Sequence, residues 1–350
     1  MTQLPAVTPR YARQPDGVPW PLADWSEGVG DRAVNAVVDD AFSDSQLAQT
    51  NAVVVVHRGR LVAERYGGAL ASFDGPGEPV TATTPMISWS MAKSVLHAAV
   101  GLLVDEGRLD PAKPAPIASW RDDERRAITL GDLLAMRDGL DFVEAYELGQ
   151  PSHVIEMLFG EGQRDMGAFA AARPLAHRPG EHFNYSSGTS NVVSGIVADL
   201  VGRGDAYRAW LEERLFGPLA MTSATPTFDE SGVFVASSYL HATARDFAKF
   251  GLLYLRGGQW GERQLVSTAW TDTAQIPRSR DETSGHYYAW HWWVTGDAYG
   301  TYGASGYEGQ MISVAPALDA VVVRLCKTPE ERAPALDAWR SRLLDTLASP

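Results

Sequence analysis

The run Asn51-Ala-Val-Val-Val-Val-His57 decides how the fold is read. Four consecutive β-branched valines favour a strand, and without polar alternation they predict one covered on both faces, inside a sheet. Arg58-Gly59 supplies a tight turn, and Arg60-Leu-Val-Ala-Glu-Arg-Tyr66 returns as the second arm of a hairpin. The far end of the chain repeats the pattern. Gln310-Met-Ile-Ser-Val314 and Ala320-Val-Val-Val-Arg-Leu325 read as strands joined by a turn around Pro316 and Asp319. A last helix is expected from about Glu330 to Leu347, with Leu336, Trp339, Leu343 and Leu347 on one stripe. Strands at both ends and helices between predict an α/β (α+β) chain: one antiparallel sheet closed by both termini, flanked by helices, with an inserted helical sub-domain.

The middle supports the insertion. Met91, Val95, Leu96, Ala99, Leu102 and Leu103 make a broad apolar helical face that Gly107 ends. Thr129 precedes Leu130-Gly-Asp-Leu-Leu134 as an N-cap, with Asp132 three residues on. Val192, Val193, Ile196, Val197 and Leu200 keep helical spacing after a Ser/Gly-rich turn at residues 186–190, and Thr243 caps a further helix through Phe247, Phe250, Leu253 and Tyr254. The expected division is a proline-rich arm (1–30), an α/β sub-domain (31–85 and 240–350) and a helical sub-domain (86–239), folded as one unit. Pro5, Pro9, Pro15, Pro19 and Pro21 keep the arm extended on the surface. Its pairing with a second copy would make a homodimer.

The 350 residues carry 43 acidic and 30 basic side chains, a formal charge of −13. Such a chain repels phosphate backbones and anionic lipid, so nucleic-acid and membrane partners are not expected. The single Cys326 rules out an internal disulfide framework and fits a reducing compartment. With no apolar run of signal-peptide or membrane-helix length, a soluble, cytoplasmic protein is expected. There is no G-x-S-x-G elbow, no H-E-x-x-H, no P-loop and no strand-borne G-x-G-x-x-G. His177 and His182 flank a turn rather than form a zinc spacing, so neither metal nor cofactor is expected.

Ser90-Met-Ala-Lys93 remains, at the start of the longest buried helix. A helix N-terminus favours negative charge developing on the serine oxygen, and a lysine three residues on returns to the same face. Burial lowers a lysine's pKa and makes it a proton acceptor. About ninety residues later, Arg178-Pro-Gly-Glu-His-Phe-Asn-Tyr185-Ser-Ser187-Gly brings a tyrosine into a loop before a helix. A phenol beside that lysine is expected to have a lowered pKa and to share the proton transfer.

Over about Asn51 to Leu325 the chain resembles the serine beta-lactamase-like superfamily, in its class C beta-lactamase, family VIII esterase and 6-aminohexanoate-dimer hydrolase branch. Ser90-Met-Ala-Lys93 matches S-x-x-K, and Tyr185-Ser-Ser187 matches Y-x-N/S. Thr129-Leu-Gly-Asp-Leu-Leu134 leading to Asp138-Gly-Leu140, Phe216-Gly-Pro-Leu-Ala-Met221 and Ala242-Thr-Ala-Arg-Asp-Phe-Ala-Lys-Phe250 also fit. The resemblance implies a beta-lactamase/transpeptidase-like fold, acylation of Ser90, and proton handling by Lys93 and Tyr185. The backbone N–H groups of Ser90 and Tyr307 are then the expected oxyanion donors.

The third motif of that family, Lys-Thr-Gly, has Ala304-Ser305-Gly306 as its counterpart here. Lys327-Thr328-Pro329 is a decoy after the last strand. With Ser187 and Ala304 in place of asparagine and lysine, an esterase or amidase is expected over a penicillin-recognising enzyme, whether beta-lactamase or D,D-peptidase. A non-catalytic ligand-binding protein on the same scaffold is the rival of another class. Substrate contacts are expected from Ser187, Ala304, Ser305, Gly306 and Tyr146, the last because the nylon-dimer hydrolase branch has a substrate-contacting tyrosine there. The dense His286-Tyr-Tyr-Ala-Trp-His-Trp-Trp293 divides between core and pocket wall, its tail alternating like a strand from Trp290 to Val294. His97 reads as a satisfied buried histidine.

Overall fold

The valine run forms the middle of strand β1 (Gln49–His57), and Val53, Val54, Val55 and Val56 are wholly buried. The computed structural model describes residues 4–70, 77–146 and 149–349. After β1 come β2 (Arg60–Tyr66), β3 (Met86–Ile87), β4 (Thr225–Pro226), β5 (Leu240–Ala242), β6 (Gln259–Trp260) and β7 (Arg263–Gln264). Then follow β8 (Ser279–Arg280), β9 (Tyr287–Tyr288), β10 (Trp293–Val294), β11 (Tyr302–Gly306), β12 (Gln310–Ala315) and β13 (Ala320–Lys327). The principal sheet has the order β2-β1-β13-β12-β11-β10-β9-β8, with every pairing antiparallel. β1 lies directly against β13, with Val54 opposite Val323 and Val55 opposite Val322, so both ends of the chain do close one sheet.

The helices are α1 (Arg32–Ser43), α2 (Ala92–Asp105), α3 (Leu130–Leu134), α4 (His153–Phe159) and α5 (Met166–Ala171), then α6 (Ser187–Val201), α7 (Asp205–Leu211), α8 (Ala244–Leu255), α9 (Thr268–Asp272) and α10 (Ala333–Ala348). They explain the valines. Val53 and Val55 face Val34 and Val38 of α1 and Leu336, Trp339 and Leu343 of α10. Val54 and Val56 join Phe247 and Phe250 of α8 in the larger core that also contains α2. Both faces of β1 are thus covered by apolar helices, and each buried valine contributes about 1.5–3 kcal/mol.

Several local expectations change. α2 is not buried along a stripe: all twelve residues from Ala92 to Leu103 are buried, because it runs through the middle of the molecule. Residues 187–190, expected as a turn, are the first turn of α6, capped by the Ser186 side chain on the Thr189 N–H at 3.0 Å. Trp290 to Val294 is not a strand. The chain bends between β9 and β10, His291 takes a left-handed φ of 56°, and only Trp293 and Val294 pair. The segment is instead a buried bend whose His291 ring bonds Leu134 O at 2.9 Å and Ser190 Oγ at 3.1 Å. Lys327 ends β13 rather than following it, paired with Gln49.

The N-terminal arm is fastened to its own chain. Ala12 N–H donates to Leu255 O at 3.1 Å, and the buried Arg256 donates to Ala12 O and Gln14 Oε1 at 3.1 and 3.0 Å. No helix among the described residues is long and apolar enough to cross a membrane.

Candidate active site

Ser90 stands in a 3₁₀ turn, Trp89–Met91, that feeds directly into α2. Two strands fix this turn. β3 pairs with β5, and Ser88 N–H donates to Leu240 O at 2.7 Å. From the other side β11 approaches so closely that a Cβ at Gly306 would lie 2.4 Å from Ser88 O, which excludes any larger residue there. Trp89, immediately before the serine, holds a left-handed φ of 44°. A bulky residue rarely adopts that geometry, and such strain concentrates at functional sites.

One turn into α2, the Lys93 side chain folds back toward Ser90. Nζ lies 3.0 Å from Ser90 Oγ, 3.1 Å from Ser187 Oγ and 2.9 Å from Ser237 O. The residue is 2% exposed, and burial lowers its pKa to about 8, opposed by the negative charge of Glu144. Lys93 is therefore buried beside Ser90, in a polar cradle. Two groups that act on Lys93 escaped the sequence reading, Ser237 by a hydrogen bond and Glu144 by its charge. Ser237 contributes only a backbone carbonyl, which no side-chain motif can signal. Glu144 lies in the loop that reaches Tyr146, where nothing in the spacing marks it.

Tyr185 enters just before α6, with Lys93 Nζ 4.9 Å from its ring centre. The expected lowering of its pKa is overturned. Burial pushes the phenol well above its ordinary value, the Ser90 hydroxyl offsets this only in part, and the Glu144 charge adds to it. Tyr185 thus stays protonated at neutral pH, while Lys93 can lose its charge. Trp293 stacks on the phenol at 5.6 Å, and Tyr288 meets it edge-on at 5.9 Å. Of the three tryptophans in the bend, Trp292 is fully buried in the core and Trp290 packs on Trp270, so Trp293 is the one that reaches the site.

Ser187, the first residue of α6, connects the two motifs. Its Oγ meets Lys93, its hydroxyl donates to Glu144 Oε1 at 2.6 Å, and its backbone N–H donates to Glu144 Oε2 at 2.7 Å. The loop carrying Glu144 is anchored on the same helix start. Buried Asp138 accepts from Thr189 Oγ1 at 2.7 Å, and Asn184 Nδ2 donates to Phe142 O at 3.0 Å. Desolvation raises the Asp138 pKa to about 6.

On the opposite wall, Ala304 is buried in β11, Ser305 is exposed, and Tyr307 follows the strand, 47% exposed. The Tyr146 ring lies 5.4 Å from that of Tyr307 and its hydroxyl donates to Glu144 at 2.8 Å, while Trp89 meets Tyr307 edge-on at 5.7 Å. Ser90, Lys93, Tyr185, Ser187, Gly306, Tyr307 and Tyr146 are thus linked by contacts around one site. His97 stands apart from it, held by Tyr254 at 2.7 Å and Thr273 at 2.9 Å, with burial lowering its pKa. Among the described residues, no group of three or more His, Cys, Asp or Glu side chains is placed to hold a metal ion.

The beta-lactamase family model matches residues 38–346. The chain belongs to the beta-lactamase family. The family member is 27% identical over 303 residues to the 6-aminohexanoate-dimer hydrolase of Paenarthrobacter ureafaciens, covering 80% of this chain and 73% of that protein. Its fold is also that of a Bacillus anthracis protein provisionally assigned as a 6-aminohexanoate-dimer hydrolase (TM-score 0.72, 21% identity, 97% and 90% of the two chains). A family VIII carboxylesterase shares it as well (TM-score 0.70, 15% identity, 91% and 99%). This family member is a hydrolase of the beta-lactamase fold.

Proposed function

We propose that the protein is a serine hydrolase that cleaves a small ester or amide through an acyl-enzyme on Ser90. The observation that carries this reading is the 3.0 Å contact between Ser90 Oγ and a buried Lys93 whose pKa has fallen to about 8. Near neutral pH a useful fraction of Lys93 is uncharged and takes the serine proton as Oγ attacks the carbonyl. Tyr185, protonated and beside Ser90, passes a proton to the leaving group. The backbone N–H groups of Ser90 and Tyr307 hold the oxyanion; losing one such donor typically costs about 10²–10³ in rate. Water then attacks the acyl-enzyme, with Lys93 and Tyr185 acting in reverse.

The acyl or leaving group lies between Ser187 and the stretch Ala304, Ser305 and Gly306, with an apolar part against Tyr146 and Tyr307. Small methyl at position 304 supplies no cation for a substrate carboxylate, which favours neutral esters and amides over penicillins. Turnover of p-nitrophenyl esters and of nitrocefin, measured side by side with wild type and Ser90→Ala, tests this. Ester cleavage that Ser90→Ala abolishes, with slow or no nitrocefin cleavage, is expected. Fast nitrocefin cleavage without esterase activity would reverse the substrate assignment.

A further inference from the structure

Among the described residues, Lys93 Nζ has three hydrogen-bond neighbours, and the proton each one carries decides what the lysine can do. Ser237 offers a carbonyl oxygen, which only accepts. Ser187 Oγ has a single proton, and at 2.6 Å from the Glu144 carboxylate that proton lies on the line to Oε1, because an ionised carboxylate can only accept. Toward Lys93, 3.1 Å away, Ser187 therefore also presents a lone pair. Ser90 is the one neighbour of the three left with a hydroxyl proton to give.

We propose that Glu144 is a positioning residue for the reaction: by taking the Ser187 hydroxyl proton, it leaves Ser187 able only to accept, so that uncharged Lys93 aims its lone pair at Ser90. An uncharged amine has two N–H donors and one lone pair. With Ser187 and Ser237 both fixed as acceptors, the two N–H groups are committed to them and the lone pair faces the Ser90 O–H. Were the Ser187 hydroxyl free to turn, it would donate to that lone pair and compete with the nucleophile. Glu144 itself is held firmly: Ser187 N–H binds Oε2 at 2.7 Å, and Tyr146 shares Oε1 at 2.8 Å. The inference rests on the serine-hydrolase reading and adds a residue and a role to it.

The other ionisable groups around Lys93 do not supply this orientation. Tyr185 presents its ring face to Nζ, and His291 is buried, bonded to Leu134 O and Ser190 Oγ, with its pKa lowered to about 3 so that it stays neutral. Among the described residues, the negative charge acting on Lys93 is that of Glu144, and it favours the ammonium.

Glu144→Gln is the decisive substitution because it keeps the shape and reverses the hydrogen-bond sense. The backbone N–H of Ser187 can only donate, so it retains the amide oxygen, and the amide NH₂ then faces Ser187 Oγ and donates to it. The Ser187 proton is released toward Lys93. Two changes of independent sign are expected in the pH profile of ester acylation: the plateau falls by at least about 10-fold, as when a base's proton arrangement is disturbed in other hydrolases, and the acid limb moves to lower pH. Adding Ser187→Ala removes the competing hydroxyl, so E144Q/S187A should acylate faster than E144Q, whereas Ser187→Ala alone should slow the wild type. This reversal of sign is beyond a merely structural role. A lowered plateau with an unmoved limb, or a double variant slower than E144Q, would overturn the positioning role. Fluorophosphonate labelling keeps the two readings apart. An unlabelled Ser90 in wild type would sink the hydrolase itself, whereas equal labelling rates in wild type and E144Q would sink only the role of Glu144.

Discussion

On the helical side of the site, Ser90 in the turn before α2, Lys93 on the first turn of α2 and Ser187 at the start of α6 are joined at 3.0 and 3.1 Å. The facing side meets solvent instead through the rings of Tyr307 and Tyr146, 47% and 44% exposed. Lys93 and Tyr185 in the first wall are desolvated, so their pKa values are moved, while Ser90 is half-buried. The second is wet and aromatic, and it offers area rather than charge. In the proposed mechanism, proton transfer and recognition are thereby separated: substitutions in the first wall should act on the rate of acylation, and those in the second on binding.

The largest effect should come from removing the base. Lys93→Ala is expected to lower kcat/KM for a p-nitrophenyl ester by about 10⁴-fold with little change in KM, as loss of one member of a concerted catalytic set does. Near-normal kcat would contradict the assignment of Lys93 and blur the contrast between the walls. The next effect is the pH dependence. Lys93 acts when uncharged and its pKa falls from 10.5 to about 8, so acylation should climb up to about pH 8 and level off above it. Between pH 6 and pH 8 the gain for a single ionisation at 8 is about 50-fold. Tyr185 keeps its proton throughout, so no second limb near neutrality is expected from it. A flat profile from pH 6 to 9 would show that some other group takes the proton. Smallest is the aromatic wall. Tyr307→Ala keeps the backbone N–H and removes a ring that packs on Tyr146 and Trp89. It should raise KM for an aromatic ester up to about 10-fold and leave kcat nearly unchanged, in line with the worth of aromatic contacts. A drop in kcat instead would place Tyr307 among the proton-transfer groups.

The hairpin, the closure of β1 on β13 and the capped helices at Thr129 and Thr243 were legible because each rests on local spacing: β-branched runs, helical periodicity and N-cap residues. The Ser90–Lys93 contact was legible for the same reason, since three residues make one helical turn. What escaped depends on contacts between distant segments. Ser237 O bonds Lys93 from 144 residues away in sequence and Glu144 acts on it from 51 residues away, through Ser187 and through its charge, and a backbone carbonyl leaves no mark in a motif. The upward shift of Tyr185 was missed because its neighbouring charge was visible in the motifs and the burial around it was not: Trp293 and Tyr288 arrive from the far end of the chain. The bend at His291 was read as a strand because a dense run of rings does not distinguish a strand from a turn pinned at its centre.

The most direct test is to mix the protein rapidly with a slowly deacylating p-nitrophenyl ester, follow nitrophenol release, and map the acyl group by mass spectrometry of the acid-quenched protein. A burst approaching one equivalent, with the added mass on Ser90, is the expected result. Absence of a burst with no adduct, or an adduct on any other residue, would contradict an acyl-enzyme at Ser90.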